Sequence, residues 1–172
     1  MVEQLLRRRL PSQITYMERW FAYGILIGIV SGLGAAVFFF LLQRATEFFL
    51  GFIAGYTPPL PGGEGQTVEP DWSGVQWWVV PLVPAVGALI SGFLVYQWAP
   101  EAEGHGTDAV IESFHRAGGF IRRRIPLIKT VASVVTIGSG GSAGREGPIA
   151  QIGAGFGSWL ASALKLSEHD RR

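Results

Sequence analysis

Two long runs without a charged residue dominate the first hundred positions of the chain. They cover residues 20–42 and 77–98. At a rise of about 1.5 Å per residue, a helix over either run is long enough to cross the roughly 30 Å hydrocarbon core of a bilayer. Pro81 and Pro84 fall in the first turns of the second run, where a missing amide donor costs least. The pattern therefore predicts two membrane-spanning helices.

Two shorter apolar runs follow, over residues 130–143 and 147–164. The first is too short to cross a bilayer alone, and Gly138, Gly140 and Gly141 crowd its end. Because unpaired backbone groups in lipid are costly, such a break is tolerated only where it is buried in protein or lines a watery cavity. We expect a discontinuous helix pair of the kind that forms ion or substrate sites.

The first run also carries a pattern of small residues. Gly24, Gly28 and Gly32 recur at every fourth position. This spacing is typical of a helix face that another helix approaches closely, although glycine is also frequent in membrane helices in general.

Composition agrees with a membrane protein. The 172 residues are 48% hydrophobic and 16% charged, whereas soluble domains carry about 25% charged residues. The chain has no cysteine, which excludes disulfides and thiolate metal sites. We expect neither a metal nor a cofactor.

The charged residues are unevenly distributed around the apolar runs. The loop predicted between the two spans, residues 45–76, includes acidic but no basic residues, whereas arginines precede residue 20 and basic residues recur between 116 and 129. The positive-inside rule then places residues 1–19 and 99–129 in the cytoplasm and makes residues 57–74, which are rich in turn formers, an external loop. We expect a multi-pass membrane protein with a cytoplasmic N-terminal segment along the inner surface. The arginines at 7–9 are typical of a topology anchor, not of a nucleic-acid site.

The break between the short runs has the sequence GREGP at residues 144–148. Pro148 suits the first position of a helix, since its ring fixes the helical φ and its missing donor would be unpaired there anyway. Free amides around Gly147 and Ile149 would then point out of the helix start. Together with the positive end of the helix dipole, they form an anion site without formal charge.

Two adjacent charges lie at this predicted helix start. The Glu146 carboxylate can occupy the anion site itself and leave on protonation, and an ionisable residue at a break between apolar segments is a functional candidate. Arg145 either raises the local positive potential or pairs with a carboxylate elsewhere.

Two other motifs overlap the same stretch. Gly140, Ser142 and Gly144 satisfy G-x-S-x-G, the nucleophile elbow of serine hydrolases, which requires a preceding strand and a later acid and histidine. A looser match to the dinucleotide fingerprint G-x-G-x-x-A includes Ala143, but it lacks a βαβ unit. A membrane-bound serine hydrolase using Ser142 is thus an alternative function.

The GREGP segment and the following IAQIGAGFGSWLA closely resemble the second signature of the CLC family of chloride channels and chloride/proton antiporters. The resemblance implies an all-α, polytopic membrane fold with tilted and discontinuous helices. It implies that Glu146 is the external gate and, in antiporters, a proton carrier. The anion would lie at Gly144, Arg145, Gly147, Pro148 and Ile149.

The family's first signature has its counterpart in GHGTDAVIESF, which starts at Gly104. His105 stands where the family has an anion-contacting serine, while Gly104 and Gly106 keep the glycine frame. Thr107 and Asp108 replace an apolar residue and proline. An imidazole N–H or the threonine hydroxyl can donate to an anion, whereas Asp108 would repel one unless it caps the following helix. A histidine exposed in a cytoplasmic loop is the plainer interpretation of His105.

The resemblance implies a voltage- or pH-gated chloride channel or a chloride/proton antiporter, a homodimer in the bilayer and no enzyme. Residues 20–172 would form the N-terminal part of the membrane domain, with the family's later signatures beyond Arg172. Another secondary transporter for an anionic solute is the alternative of the same class.

Overall fold

The computed structural model describes residues 12–59 and 73–172, with side chains from residue 17 onward. The described residues form helices joined by turns, without a strand. The prediction of an all-α fold is therefore confirmed. Residues 1–11 of the predicted N-terminal segment and most of the predicted external loop, residues 60–72, lie outside the described residues.

Helix α1, Ser12–Thr46, contains the whole first predicted span and continues as π-helical turns over Glu47–Ile53. The prediction that a loop begins at residue 45 is therefore wrong. Arg44 and Glu47 lie within the continuing helical turns and pair with each other at 2.8 Å, an exposed contact that contributes little to stability. In the π segment the amide of Ala54 donates to the carbonyl of Phe49 at 3.3 Å, and Leu50 is buried. Apolar packing therefore continues beyond the two charged residues, as the buried Leu50 shows.

Helix α2, Leu82–Trp98, begins five residues later than predicted. Residues 77–81 form turns, and Pro81 is the N-cap. A proline disfavours helical geometry in the residue before it, so Pro81 opposes an earlier start at Val80. Pro84 lies in the first turn of α2, where its missing donor costs little. Of the described helices, only the stretch Met17–Ile53 has the length and composition of a membrane span, whereas α2 is apolar but shorter.

Four further helices follow: α3, Thr107–Arg116; α4, Arg124–Gly138; α5, Glu146–Ala163; and α6, Glu168–Arg171. The predicted break between the short apolar runs is confirmed, since residues 139–145 are non-helical. Helix α4 starts earlier than its apolar run and so includes Lys129.

Helix α4 lies at the centre and packs against α1, α2 and α5, while α5 also contacts α1 and α3. Close approach depends on small residues. A β-carbon on Gly87 of α2 would overlap the Ser139 side chain, and one on Gly155 of α5 would overlap the Pro126 ring. The predicted face of Gly24, Gly28 and Gly32 contacts no other described residue, since a β-carbon there would have open space around it.

Candidate anion-binding site

The two glycine-framed segments lie against each other. Helix α3 starts at Thr107, directly after Gly106, and α5 starts at Glu146. A β-carbon on Gly106 would lie 2.9 Å from the carbonyl oxygen of Gly147, and one on Gly147 would overlap the carbonyl oxygen of His105. Gly106 also has φ of +94°, a conformation that favours glycine. The fold thus brings together two motifs that lie about forty residues apart in the chain.

A cavity of about 320 Å³ lies beside this junction. Its walls come from α2, α4 and two loops that precede helices. Four predicted site residues line it: Gly104, His105, Gly144 and Pro148. The other five, Gly106, Arg145, Glu146, Gly147 and Ile149, belong to the adjoining backbone and do not line it. The other polar residues in the walls are Ser91, Glu103, Lys129, Ser133 and Thr136.

Helix α5 begins two residues before the predicted position. Arg145 is its N-cap and Pro148 is its third residue, where the ring is buried. The prediction that the Ile149 amide is free is wrong, because this amide donates to the Arg145 carbonyl at 3.2 Å. The amides of Glu146 and Gly147 remain in the first turn, where an α-helix supplies no acceptor.

The Glu146 side chain is exposed at this helix start. Among the described residues it forms no ion pair. A negative charge in the first turn is stabilised by the helix dipole. The guanidinium of its neighbour Arg145 lies 5.2 Å from the ring centroid of Phe39 on α1. Arg145 therefore makes a cation–π contact that ties the start of α5 to α1.

His105 is exposed at the cavity wall and precedes α3. The N-cap of α3 is Gly106, which has no side chain, and Asp108 lies in the first turn. Asp108 is thus not the cap, although its charge still complements the helix dipole. Thr107 and Asp108 are exposed and do not line the cavity.

Two polar residues at the site escaped the sequence interpretation. Lys129 was assigned to a cytoplasmic loop, but it is buried in α4, where its Nζ donates to the carbonyls of Ala102 at 2.9 Å and Gly104 at 2.5 Å. Gln151 is buried in α5, and its Nε2 donates to the carbonyl of Glu101 at 3.1 Å. The available signal was a lone polar residue next to or within an apolar run, which is a functional candidate in a membrane protein.

Glu101 connects this loop to arginines just before and at the start of α4. Its carboxylate pairs with Arg122, and Arg124 donates to the Trp98 carbonyl at 3.3 Å. Burial raises the pKa of Glu101, but a backbone hydrogen bond, the hydrogen bond from Arg122 and the charges of Arg122 and Arg124 outweigh it. The pKa is lowered overall.

The two enzyme motifs both require a strand before their glycines, and the structure has a helix there. Ser142 is exposed in the loop after α4, and the residues before that loop are helical where a nucleophile elbow needs a strand. The dinucleotide fingerprint also needs a strand before its glycines, and none is present in the described residues.

The profile of the voltage gated chloride channel family matches residues 87–172, half of the chain, and includes both glycine-framed motifs. The chain belongs to this CLC family. The match confirms the resemblance that the GREGP segment indicated, and with the helical architecture it supports an N-terminal portion of a CLC-like membrane fold.

Curated relatives carry transport names. The chain is 24% identical over 175 residues to a chloride/fluoride channel protein of Pseudomonas syringae pv. tomato, covering 100% of this chain and 33% of that protein. It is 31% identical over 157 residues to chloride channel protein CLC-e of Arabidopsis thaliana, covering 91% and 20%. It is 26% identical over 151 residues to the H(+)/Cl(-) exchange transporter ClcA of Vibrio vulnificus, covering 86% and 29%.

The chain thus spans about a third or less of the length of these relatives. No solved structure matches it.

Proposed function

We propose that the full protein moves chloride or a similar small anion across a membrane, as a channel or as a chloride/proton antiporter. One observation carries the proposal: the helix starts of α3 and α5 converge beside a cavity with a buried lysine in its wall. Helix starts supply free amides and positive dipole ends, which favour an anion. Membership of the CLC family and the transport names of the relatives support the same function.

Glu146 is the gate in this proposal. When ionised, its carboxylate lies at the helix start and takes the place of the transported anion. When protonated, it leaves that place and the anion enters. Weak binding by amides suits throughput, because conduction requires that the anion also leave the site.

His105 supplies a donor at the inner end of the site, where the family has a serine. In its neutral form the imidazole carries one N–H, which can donate to an anion as a serine hydroxyl does. Its place in the cavity wall supports this role.

The protein lies in the bilayer in this proposal, with residues 20–172 as the N-terminal part of the membrane domain and the N-terminus in the cytoplasm. The basic residues beside α3 and α4 support that orientation, since Arg123 and Arg124 are exposed. By family resemblance the protein is a homodimer in which each subunit has its own pathway.

Chloride flux from liposomes that contain the purified full-length protein tests the gate. We expect the wild-type flux to depend on external pH, and Glu146→Gln to remove most of that dependence together with any coupled proton movement. Glu112→Gln, a surface carboxylate on α3, is the matched control and should behave as wild type. If Glu146→Gln keeps the wild-type pH dependence, Glu146 is not the gate.

A further inference from the structure

The loop before α3 creates an electrostatic problem for an anion cavity. Residues 102–105 form part of the cavity wall, and the carboxylate-bearing Glu103 is among them. A backbone carbonyl presents the negative end of its dipole, which repels an anion, while an amide or a side-chain donor attracts one. The wall favours an anion only if the carbonyl oxygens of this loop are engaged elsewhere.

Lys129 engages two of these carbonyls. Its side chain is 4% exposed, and its ammonium donates to Ala102 and Gly104 from one point. The ion pairs of the described residues do not include Lys129. Both hydrogen-bond partners are neutral carbonyl groups, so they do not cancel the positive charge. Lys129 itself also lines the cavity. Burial of such a charge is costly.

Gln151 engages a third carbonyl from the opposite side. It is 2% exposed, and its Nε2 donates to Glu101. Its Oε1 lies against Gly106, since a β-carbon on that glycine would be 2.9 Å from it. The carboxamide thus holds Glu101 against α5 through one hydrogen bond, while its buried Oε1 lies beside Gly106 without a hydrogen-bond partner among the described residues.

We propose that Lys129 and Gln151 are positioning residues that engage the carbonyl oxygens of Glu101, Ala102 and Gly104, so that these carbonyls do not face an anion beside His105. This assignment rests on the proposed function. Lys129 adds a positive charge at the cavity wall that forms no ion pair among the described residues, although Glu103 lines the same cavity. Gln151 contributes geometry alone. The two side chains come from α4 and α5, so the loop is held from both helices that flank the break.

Chloride titration calorimetry on the purified full-length protein in detergent tests the assignment. We expect Lys129→Met to raise the chloride Kd about tenfold or more, because two carbonyls lose their donor and the cavity loses its charge. Lys129→Arg keeps the charge and several donors, so its Kd should stay within about threefold of wild type. Gln151→Leu should raise the Kd about threefold, an effect that cannot arise from a lost charge.

Matched controls come from the chain itself. Lys165→Met removes the other lysine, which is exposed beyond α5, and Gln43→Leu replaces an exposed glutamine of α1. Both should keep the wild-type Kd. The thermal midpoint without chloride verifies folding. If Lys129→Met does not fold, Lys129→Gln replaces it and should raise the Kd about threefold, because it keeps a donor but no charge.

The outcomes separate this assignment from the proposed function. A wild-type protein that binds no chloride would refute the proposed function. Chloride binding that is unchanged in folded Lys129→Met and Gln151→Leu overturns the assignment only. A loss confined to Lys129→Met also overturns it, because the effect would then be one of charge without positioning.

Discussion

Gly147 lies so close to His105 that no side chain fits between them: a β-carbon on the glycine would overlap the histidine's carbonyl oxygen. The start of α5 and the loop before α3 are therefore in backbone contact. Because interiors are closely packed, this contact fixes the separation of the two motifs. The position of His105 thus depends on a residue that has no side chain of its own.

Gly147→Ala should push the two segments apart. We expect it to lower the free energy of unfolding by about 1–3 kcal/mol, as overpacking does, and to weaken chloride binding by moving His105. Thermal unfolding and chloride titration of the full-length protein measure the two effects. Gly157→Ala, in the same helix with open space around its β-carbon, is the control and should be neutral or slightly stabilising. Equal behaviour of the two variants would show that the contact is not tight.

His105→Ala should weaken halide binding about tenfold if the imidazole donates to the anion, because a hydrogen bond to a charged group is lost. His105→Ser should largely restore binding by replacing one donor with another. His115→Ala, an exposed histidine of α3, is the control. Chloride titration decides, and wild-type affinity in the alanine variant would make His105 an ordinary loop residue.

Glu101 predicts a small dependence of stability on pH. Because its pKa in the folded protein is lowered from an ordinary value of about 4.5, its stabilising contribution is fully present above that value. The contribution is lost as the pH falls through the lower folded-state pKa. The carboxylate is half exposed, so the effect should stay below about 1 kcal/mol.

Thermal midpoints of wild type and Glu101→Gln measure this contribution. The difference between them should be present at pH 7 and shrink as the pH is lowered below about 4.5 and through the lower folded-state pKa. Glu112→Gln removes a more exposed pair with Arg116 and should change neither value. A difference that persists unchanged at low pH would contradict the role of the ionised carboxylate.

Local signals predicted the break between α4 and α5. Run length, clustered glycines and Pro148 are all properties of a short stretch, and together they placed the start of α5 within two residues. The CLC resemblance depended on the same short stretch. The contact between the two motifs was implied only through that resemblance, since no local pattern encodes it.

Features set by distant partners were not predictable in this way. Arg44 and Glu47 suggest the end of a span, yet helical turns continue past them and bury Leu50 against Val79 and Val83, which lie about thirty residues later in the chain. Lys129 looked like a loop charge because its partners, the carbonyls of Ala102 and Gly104, lie more than twenty residues earlier in the chain. Burial of a charge depends on tertiary structure, and a single sequence does not show which carbonyls will surround it.

The contact of Arg145 with Phe39 has a consequence for the timescale of gating. Arg145 is held against α1, Gly147 is wedged against His105, and Pro148 is buried. The backbone on both sides of Glu146 is thus held in place, and the freedom that remains is rotation about the side-chain torsions of Glu146. Rotamer changes of exposed side chains take picoseconds to nanoseconds, whereas loop rearrangements are slower. In the proposed gate, protonation of Glu146 would then be the slow step, and its loop would not need to rearrange.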